Sequence, residues 1–209
     1  MPNKIALLLL NGNAPEKITN PQDYDIFVAT DGAIQKAIQL GVIPDFVLGD
    51  FDSIDNELAK NLNVNFVRTP DQNFTDFEKA LAFIEEKGFS EVHIYGASGG
   101  EQDHFLGNLS AALAWKSKIK LTFFDKYGTY YFLKKSEQNR ILEVKGKTIS
   151  LLPLPNAEQV STSGLEFPLQ KEDLNFGKRI GTRNFAIESE IEVHFTEGDL
   201  LIFINDRET

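Results

Sequence analysis

The feature that most constrains this chain is an alternation that stops partway along it. Up to residue 135, short apolar runs alternate with stretches of helical period. The runs Ile5–Leu10, Ile26–Thr30, Phe46–Leu48, Val64–Arg68, Val92–Tyr95 and Ile119–Phe124 each read as a short buried strand. Between them, Ile34, Ala37 and Ile38 share one face of a helix over 33–40, which Gly41 would end. Thr75-Asp76-Phe77-Glu78 has the form of a capping box, in which Thr75 and Glu78 satisfy free N–H groups at a helix start. Phe77, Ala80, Leu81 and Ile84 follow at helical spacing, and Gly88 closes the run. A further helix is expected from His104 to Trp115, with Leu106, Leu109 and Leu113 inward. Strands alternating with helices imply an α/β domain with a mainly parallel sheet, over residues 1–135.

From Arg140 the helical period is gone. Ile141–Val144, Thr148–Leu152, Glu190–Phe195 and Leu200–Ile204 are strand-like, with turn signals at Lys145-Gly146-Lys147 and Glu197-Gly198-Asp199. Ile191, Val193 and Phe195 alternate with polar residues, as a half-buried antiparallel strand should. Residues 140–209 therefore read as a second, all-β, sandwich-like domain. The boundary is expected in the polar stretch 134–139.

Net charge narrows the partners. There are 21 basic and 31 acidic residues, a formal charge of −10. Nucleic acid and anionic membrane surfaces both call for a basic footprint, so neither is expected. With no cysteine, disulfides, thiolate metal sites and cysteine nucleophiles are excluded. The apolar run Ile5–Leu10 is too short for a signal peptide or a membrane span, and a cytoplasmic location is inferred.

Acids recur where α/β domains place ligands, beyond the carboxyl ends of strands. Asp31 follows the second apolar run, and Asp50 and Asp52 follow the third. Asp71 and Asp76 follow the fourth. Asp103 follows the fifth, across Gly96-Ala97-Ser98-Gly99-Gly100. Asp50 and Asp52, at i and i+2 in Gly49-Asp50-Phe51-Asp52-Ser53, fall on the same side of an extended backbone. Two carboxylates so placed repel each other unless a cation lies between them, and oxygen-only donors suit Mg²⁺, which arrives with substrate phosphates. Each acid taken singly can equally be a helix cap or turn residue. The glycine loop is either a tight turn or a backbone that approaches phosphate closely. His104 serves as a base or as a helix-start residue, with Asn108 one turn on. In the second half, Ser163–Leu169 and Gly181–Asn184 are either turns or, through Phe167 and Asn184, an aromatic face for a planar cation.

Together these motifs resemble the thiamine pyrophosphokinase family. The resemblance rests on Thr30-Asp31-Gly32-Ala33, on Pro44-Asp45 with Gly49–Ser53, and on Thr69-Pro70-Asp71-Gln72-Asn73-Phe74-Thr75-Asp76. Gly99-Gly100 with Asp103, His104 and Asn108, and Gly164-Leu165 with Phe167 and Leu169, complete it. It implies an ATP-binding α/β domain, a β domain that helps bind thiamine, and a homodimer. It implies transfer of the β,γ-pyrophosphoryl unit of ATP to the thiamine hydroxyl, with release of AMP. By matching position, Asp50, Asp52 and Asp76 would hold Mg²⁺. Asp31, Gln72, Thr75 and Asn108 would belong to the ATP site, and Phe167, Arg183 and Asn184 to the thiamine pocket. Asp71 or Asp103 would receive or orient the hydroxyl proton.

Two positions depart from the family. Glu101 stands where arginine is usual, and Arg183 where serine is usual, so Arg183 is expected to supply the charge missing at 101. Two other readings remain. An aspartate-dependent phosphohydrolase would use Asp50 as nucleophile with a lysine such as Lys79 or Lys126. A non-catalytic binder would hold thiamine or its phosphates without turnover.

Overall fold

The computed structural model describes residues 4–51 and 64–206. The chain divides into two compact units, Met1–Lys126 and Tyr127–Thr209. The division falls ahead of the polar stretch 134–139, because the strand Gly128–Phe132 pairs with the last strand of the chain and so belongs with the second unit.

In the first unit, six strands form one parallel arrangement. They are β1 (Ile5–Leu9), β2 (Ile26–Thr30), β3 (Phe46–Gly49), β4 (Asn65–Arg68), β5 (Glu91–Tyr95) and β6 (Lys120–Asp125). Their order is β4-β3-β2-β1-β5-β6, each neighbouring pair parallel. The inner strands β1, β2 and β5 are almost wholly buried, which is why they read as unbroken apolar runs. At the edge, β4 is only half-buried, so the expectation of a buried strand there was too strong. From β1 the chain runs outward in one direction through β2 to β4, and in the other through β5 to β6. Such a reversal opens a crevice beyond the carboxyl ends of the central strands.

Among the described residues, this unit has three α-helices: α1 (Ile34–Gln39), α2 (Asp76–Glu86) and α3 (Gln102–Trp115). In α1, Ile34 and Ala37 are buried but Ile38 is 40% exposed, so the inward face is narrower than its spacing suggested. The capping box on α2 is present in full. The Glu78 amide donates to Thr75 Oγ1 at 3.2 Å, and the Thr75 amide donates to Glu78 Oε2 at 2.9 Å. Phe77, Ala80, Leu81 and Ile84 are buried as their spacing requires. On α3 the inward face is set by Leu109, Ala111 and Ala112, whereas Leu106 is 62% exposed. Leu106 lies off that inward face, so its apolar character misassigned it.

The second unit contains β7 (Gly128–Phe132), β8 (Asn139–Leu142), β9 (Thr148–Ser163), β10 (Glu172–Asn175), β11 (Gly181–Phe185), β12 (Glu190–His194) and β13 (Glu197–Asn205). No helix occurs in it among the described residues. All its strand pairs are antiparallel, so over the chain as a whole the pairing is mixed rather than mainly parallel. Its strands were under-read in the sequence. β9 runs sixteen residues, straight through Pro153 and Pro155, and β7, β10 and β11 carried no strong signal. Its core gathers Ile149, Leu151, Val160, Ile191, Val193, Phe195 and Ile202, all at or below 2% exposure.

One polar group is built into the first unit's interior. The Tyr24 hydroxyl lies 3.0 Å from His93 Nδ1 and 3.1 Å from the Tyr95 hydroxyl. His93 Nε2 lies 3.6 Å from Glu91, which also pairs with Lys120 at 2.7 Å. Burial holds the His93 pKa below its ordinary value, against the opposing pull of Glu91. A histidine whose folded pKa lies below the unfolded one stabilises the fold fully above the unfolded pKa, and that contribution is lost as pH falls through the folded value. The melting temperature should therefore drop as pH falls below about 6.5. His93→Asn should flatten that slope. Parallel pH–melting curves for the two proteins would refute the assignment.

Candidate functional site

The crevice required by the strand order is present as a cleft of about 710 Å³. Its walls are the segments that leave the central strands. Leu10, Asn11 and Gly12 follow β1, Thr30 ends β2, and Gly96, Ala97 and Gly100 follow β5. Gln72–Phe77 and Lys79 contribute from the start of α2, and Glu101, Asp103, His104 and Asn108 from the start of α3.

Two loops form the floor and are stitched together. The Gly12 amide donates to the Gly96 carbonyl and the Asn13 amide to the Ser98 carbonyl, both at 2.7 Å. Asn13 Nδ2 donates to the Gly99 carbonyl at 2.8 Å. Gly12 has no room for a Cβ, which would run into the carbonyl oxygens of Gly96 and Ser98. Gly96 itself takes a φ of +73°, open to glycine at no steric cost. From α1, Lys36 donates to the Asn11 carbonyl and, at 2.8 Å, to the Gly12 carbonyl. Burial lowers the Lys36 pKa.

The expected site residues are only partly brought together. Gln72, Thr75, Asp76, Asp103 and Asn108 all line the cleft. Thr75 spends its hydroxyl on the α2 cap, so its contribution is to aim Asp76. Asn108 Nδ2 donates to the Ala97 carbonyl at 3.0 Å and ties α3 to the glycine loop. Asp103 Oδ1 accepts the His104 amide at 3.0 Å. Asp71 turns back on its own loop, accepting both the Asn73 amide and Asn73 Nδ2 at 2.9 Å. Asp31 bridges two strand ends, with Oδ1 accepting from Gly32 at 2.7 Å and Oδ2 from Phe51 at 3.2 Å. Asp50 is half-buried directly after β3. Asp52 lies outside the described residues. The sequence reading missed Asn11, Gly12, Lys36 and Phe74; only the Asn11-Gly12-Asn13 turn directly after a buried strand marked that position.

Of the acids expected to hold a metal, Asp50 and Asp76 offer carboxylate oxygens alone, a donor type that fits Mg²⁺ completed by substrate phosphate, and of the two only Asp76 lines the cleft. A different group, Glu101, Asp103 and His104, presents ligand atoms within 4.8 Å of one another at the start of α3. All three are exposed, and Glu101 lies 3.5 Å from His104 Nε2.

In the second unit, Phe167 and Asn184 are locked together. The Phe167 amide donates to Asn184 Oδ1 at 3.1 Å, and Asn184 Nδ2 donates to the Phe167 carbonyl at 2.7 Å. Phe167 stays 67% exposed, so it is not a core aromatic. Arg183 is next to this pair on β11, with φ +57° and its amide donating to Ser150 Oγ at 3.0 Å.

The Asp31 bridge depends on Gly49, where a methyl group would collide with the Asp31 carboxylate. Gly49→Ala should therefore displace Asp31 and lower turnover about tenfold or more, with a cooperative melt retained. Full activity in that variant would show the bridge to be dispensable. Thr75→Ala should cost about 1 kcal/mol of stability through the lost cap, read by denaturant unfolding.

Comparison with known proteins places this architecture. The family model described as the thiamin pyrophosphokinase catalytic domain matches residues 20–123. The thiamin pyrophosphokinase vitamin B1 binding domain matches residues 133–200. The chain is 25% identical over 194 residues to a thiamine pyrophosphokinase of Bacillus subtilis, covering 90% of this chain and 91% of that protein. It is 28% identical over 192 residues to thiamin pyrophosphokinase 1 of Caenorhabditis elegans, covering 86% of this chain and 78% of that one. Among solved structures, the Bacillus subtilis thiamine pyrophosphokinase superposes with a TM-score of 0.85 at 24% identity, over 98% of this chain and all of the other. Both domains, in the same order and on a matching fold, make this chain a member of the thiamin pyrophosphokinase family.

Proposed function

We propose that this chain transfers the pyrophosphoryl unit of ATP to the hydroxyl of thiamine, giving thiamine diphosphate and AMP. The observation that carries the reading is the convergence of Gln72, Asp76, Asp103 and two stitched glycine loops on one cleft at the strand-order reversal. The domain matches supply the substrates.

The reaction asks for positioning and charge neutralisation rather than a covalent intermediate. The thiamine hydroxyl oxygen attacks the β-phosphorus of ATP, and the bond from that phosphorus to the bridging oxygen of AMP breaks. The glycine loops let backbone approach the polyphosphate closely. Asp103 receives or orients the hydroxyl proton; its place in the cleft favours it over Asp71, whose carboxylate is held in its own turn. Asp50, Asp52 and Asp76 are the residues that would hold Mg²⁺, which, when bound, offsets charge on the phosphates. Asp31 orients the β2 and β3 loops around the nucleotide.

On the second unit, the exposed Phe167 face supports a stacking surface for the cationic thiamine ring, with Asn184 holding it and Arg183 beside it. The buried inner residues of β9, β12 and β13 support a sandwich-like core there. Exposed Phe167, Phe176, Ile180 and Ile187 support a homodimer that covers part of this apolar surface. A cytoplasmic location is in keeping with the described helices, none of which is long and apolar enough to cross a membrane.

Incubation with ATP, Mg²⁺ and thiamine tests the reaction. AMP should appear in step with thiamine diphosphate. Inorganic phosphate alone would indicate a phosphohydrolase, and no product a binder. Asp76→Asn should lower turnover about a hundredfold without loss of fold. Phe167→Ala should raise the KM for thiamine about tenfold and leave that for ATP in place. Equal effects on both substrates would remove Phe167 from the thiamine pocket.

A further inference from the structure

Lys79 is the one lysine or arginine among the described residues that line the cleft. It stands there with Asp76, Glu101 and Asp103. Helix α2 fixes it three residues beyond Asp76, on the adjoining turn. Exposure within this pair is lopsided. The Lys79 side chain is 11% exposed and that of Asp76 is 53%. An ammonium serving only as a surface partner would stay in water, where such pairs contribute little. The Lys79 side chain is instead largely withdrawn from water while lining the cleft. Its ammonium donates to Asp76 Oδ1 at 3.2 Å. An ammonium carries three N–H donors, so this contact leaves donors for a ligand.

We propose that Lys79 grips the β,γ end of the ATP polyphosphate, exchanging Asp76 for phosphate oxygens as the substrate enters. The proposal rests on the reading of the cleft as the ATP site. Phosphate oxygens would meet the donors that Asp76 leaves free on Lys79, and a divalent cation, when bound, would be held by Asp76 in place of the ammonium. The anion nearest to hand is the polyphosphate with which the cation arrives. Lys79 would pass from carboxylate to phosphate, so its own charge is paired before and after the exchange. No covalent bond changes. Without ligand, the same pair keeps Asp76 from standing unpaired in an acidic cleft. Lysine suits this exchange because its charge is compact and its three donors rotate to meet whichever anion is present. The role also accounts for an anionic cleft accepting a polyanion although Glu101 lines the same wall.

The test is equilibrium binding by titration calorimetry in excess chelator, which takes metal and turnover out of the readout. The ligands are α,β-methylene ATP, which keeps the outer phosphates, and AMP, which lacks them. Lys79→Met should weaken the methylene analogue about ten- to hundredfold and leave AMP unchanged. Lys79→Arg should recover most of the loss. An equal loss for both ligands would assign Lys79 to shaping α2 and overturn the proposal, as would unchanged binding of both. Thermal melts accompany each variant, and Lys79→Gln substitutes if the methionine variant does not melt cooperatively. If the wild-type protein forms no AMP with thiamine while Lys79→Met still loses only the methylene analogue, the reaction assignment fails and the phosphate grip stands.

Discussion

The hydrogen bond from the Gly12 amide to the Gly96 carbonyl is the contact on which the site depends. β1 and β5 are adjacent parallel strands, so their exits emerge side by side. Parallel exits normally splay, because each must lead to a crossover. Here the two are held together by backbone bonds at Gly12 and Asn13, and Lys36 clamps the carbonyls on the other side. Both glycines are needed for this close approach, one for space and one for backbone angle. The floor of the cleft is thus backbone rather than side chain. That suits a site whose ligand is recognised by charge and shape.

Around this floor the charges are arranged by local rules. The Thr75–Glu78 box fixes where α2 starts and so where Asp76 and Lys79 emerge. Asp31 is fixed by two backbone amides, one from each side of the β2–β3 pair. Asn108 joins α3 to the glycine loop. Each device uses a short-range bond to aim a group that acts at longer range. Asp76 and Asp103 therefore meet at one cleft although they are far apart in sequence.

Local signals were the legible part of the chain. The capping box needs only four residues, and the buried central strands declare themselves as apolar runs. That Asp76 and Asp103 would reach one cleft was legible because α/β topology dictates where strand ends meet. What escaped were features decided by neighbours. Leu106 looks inward by composition, but it stands exposed. The strand was read only as Thr148–Leu152, yet β9 continues through Pro153 and Pro155, since a strand can forgo individual N–H donors where its partner does not need them. Asn11 and Gly12 acquire meaning only from Gly96, some eighty residues on. Asp71 looked equivalent to Asp103, and the difference lies in a turn that only coordinates display.

The sixteen-residue β9 has a consequence for how the second unit comes apart. It pairs with β10, β11, β12 and β13 along its length. β13 carries β7 in turn, and β12 carries β8. Every other strand therefore reaches the rest through β9, directly or at one remove. A unit wired through one hub has little scope for partial opening, because releasing β9 parts β10, β11, the β12–β8 pair and the β13–β7 pair from one another. Its folding must await distant pairings such as Ile149 with Ile204, which makes assembly slow and unfolding all-or-none. The placing of the Phe167–Asn184 pair is in that sense inherited from β9, which contains neither residue but pairs with the strand that carries Asn184.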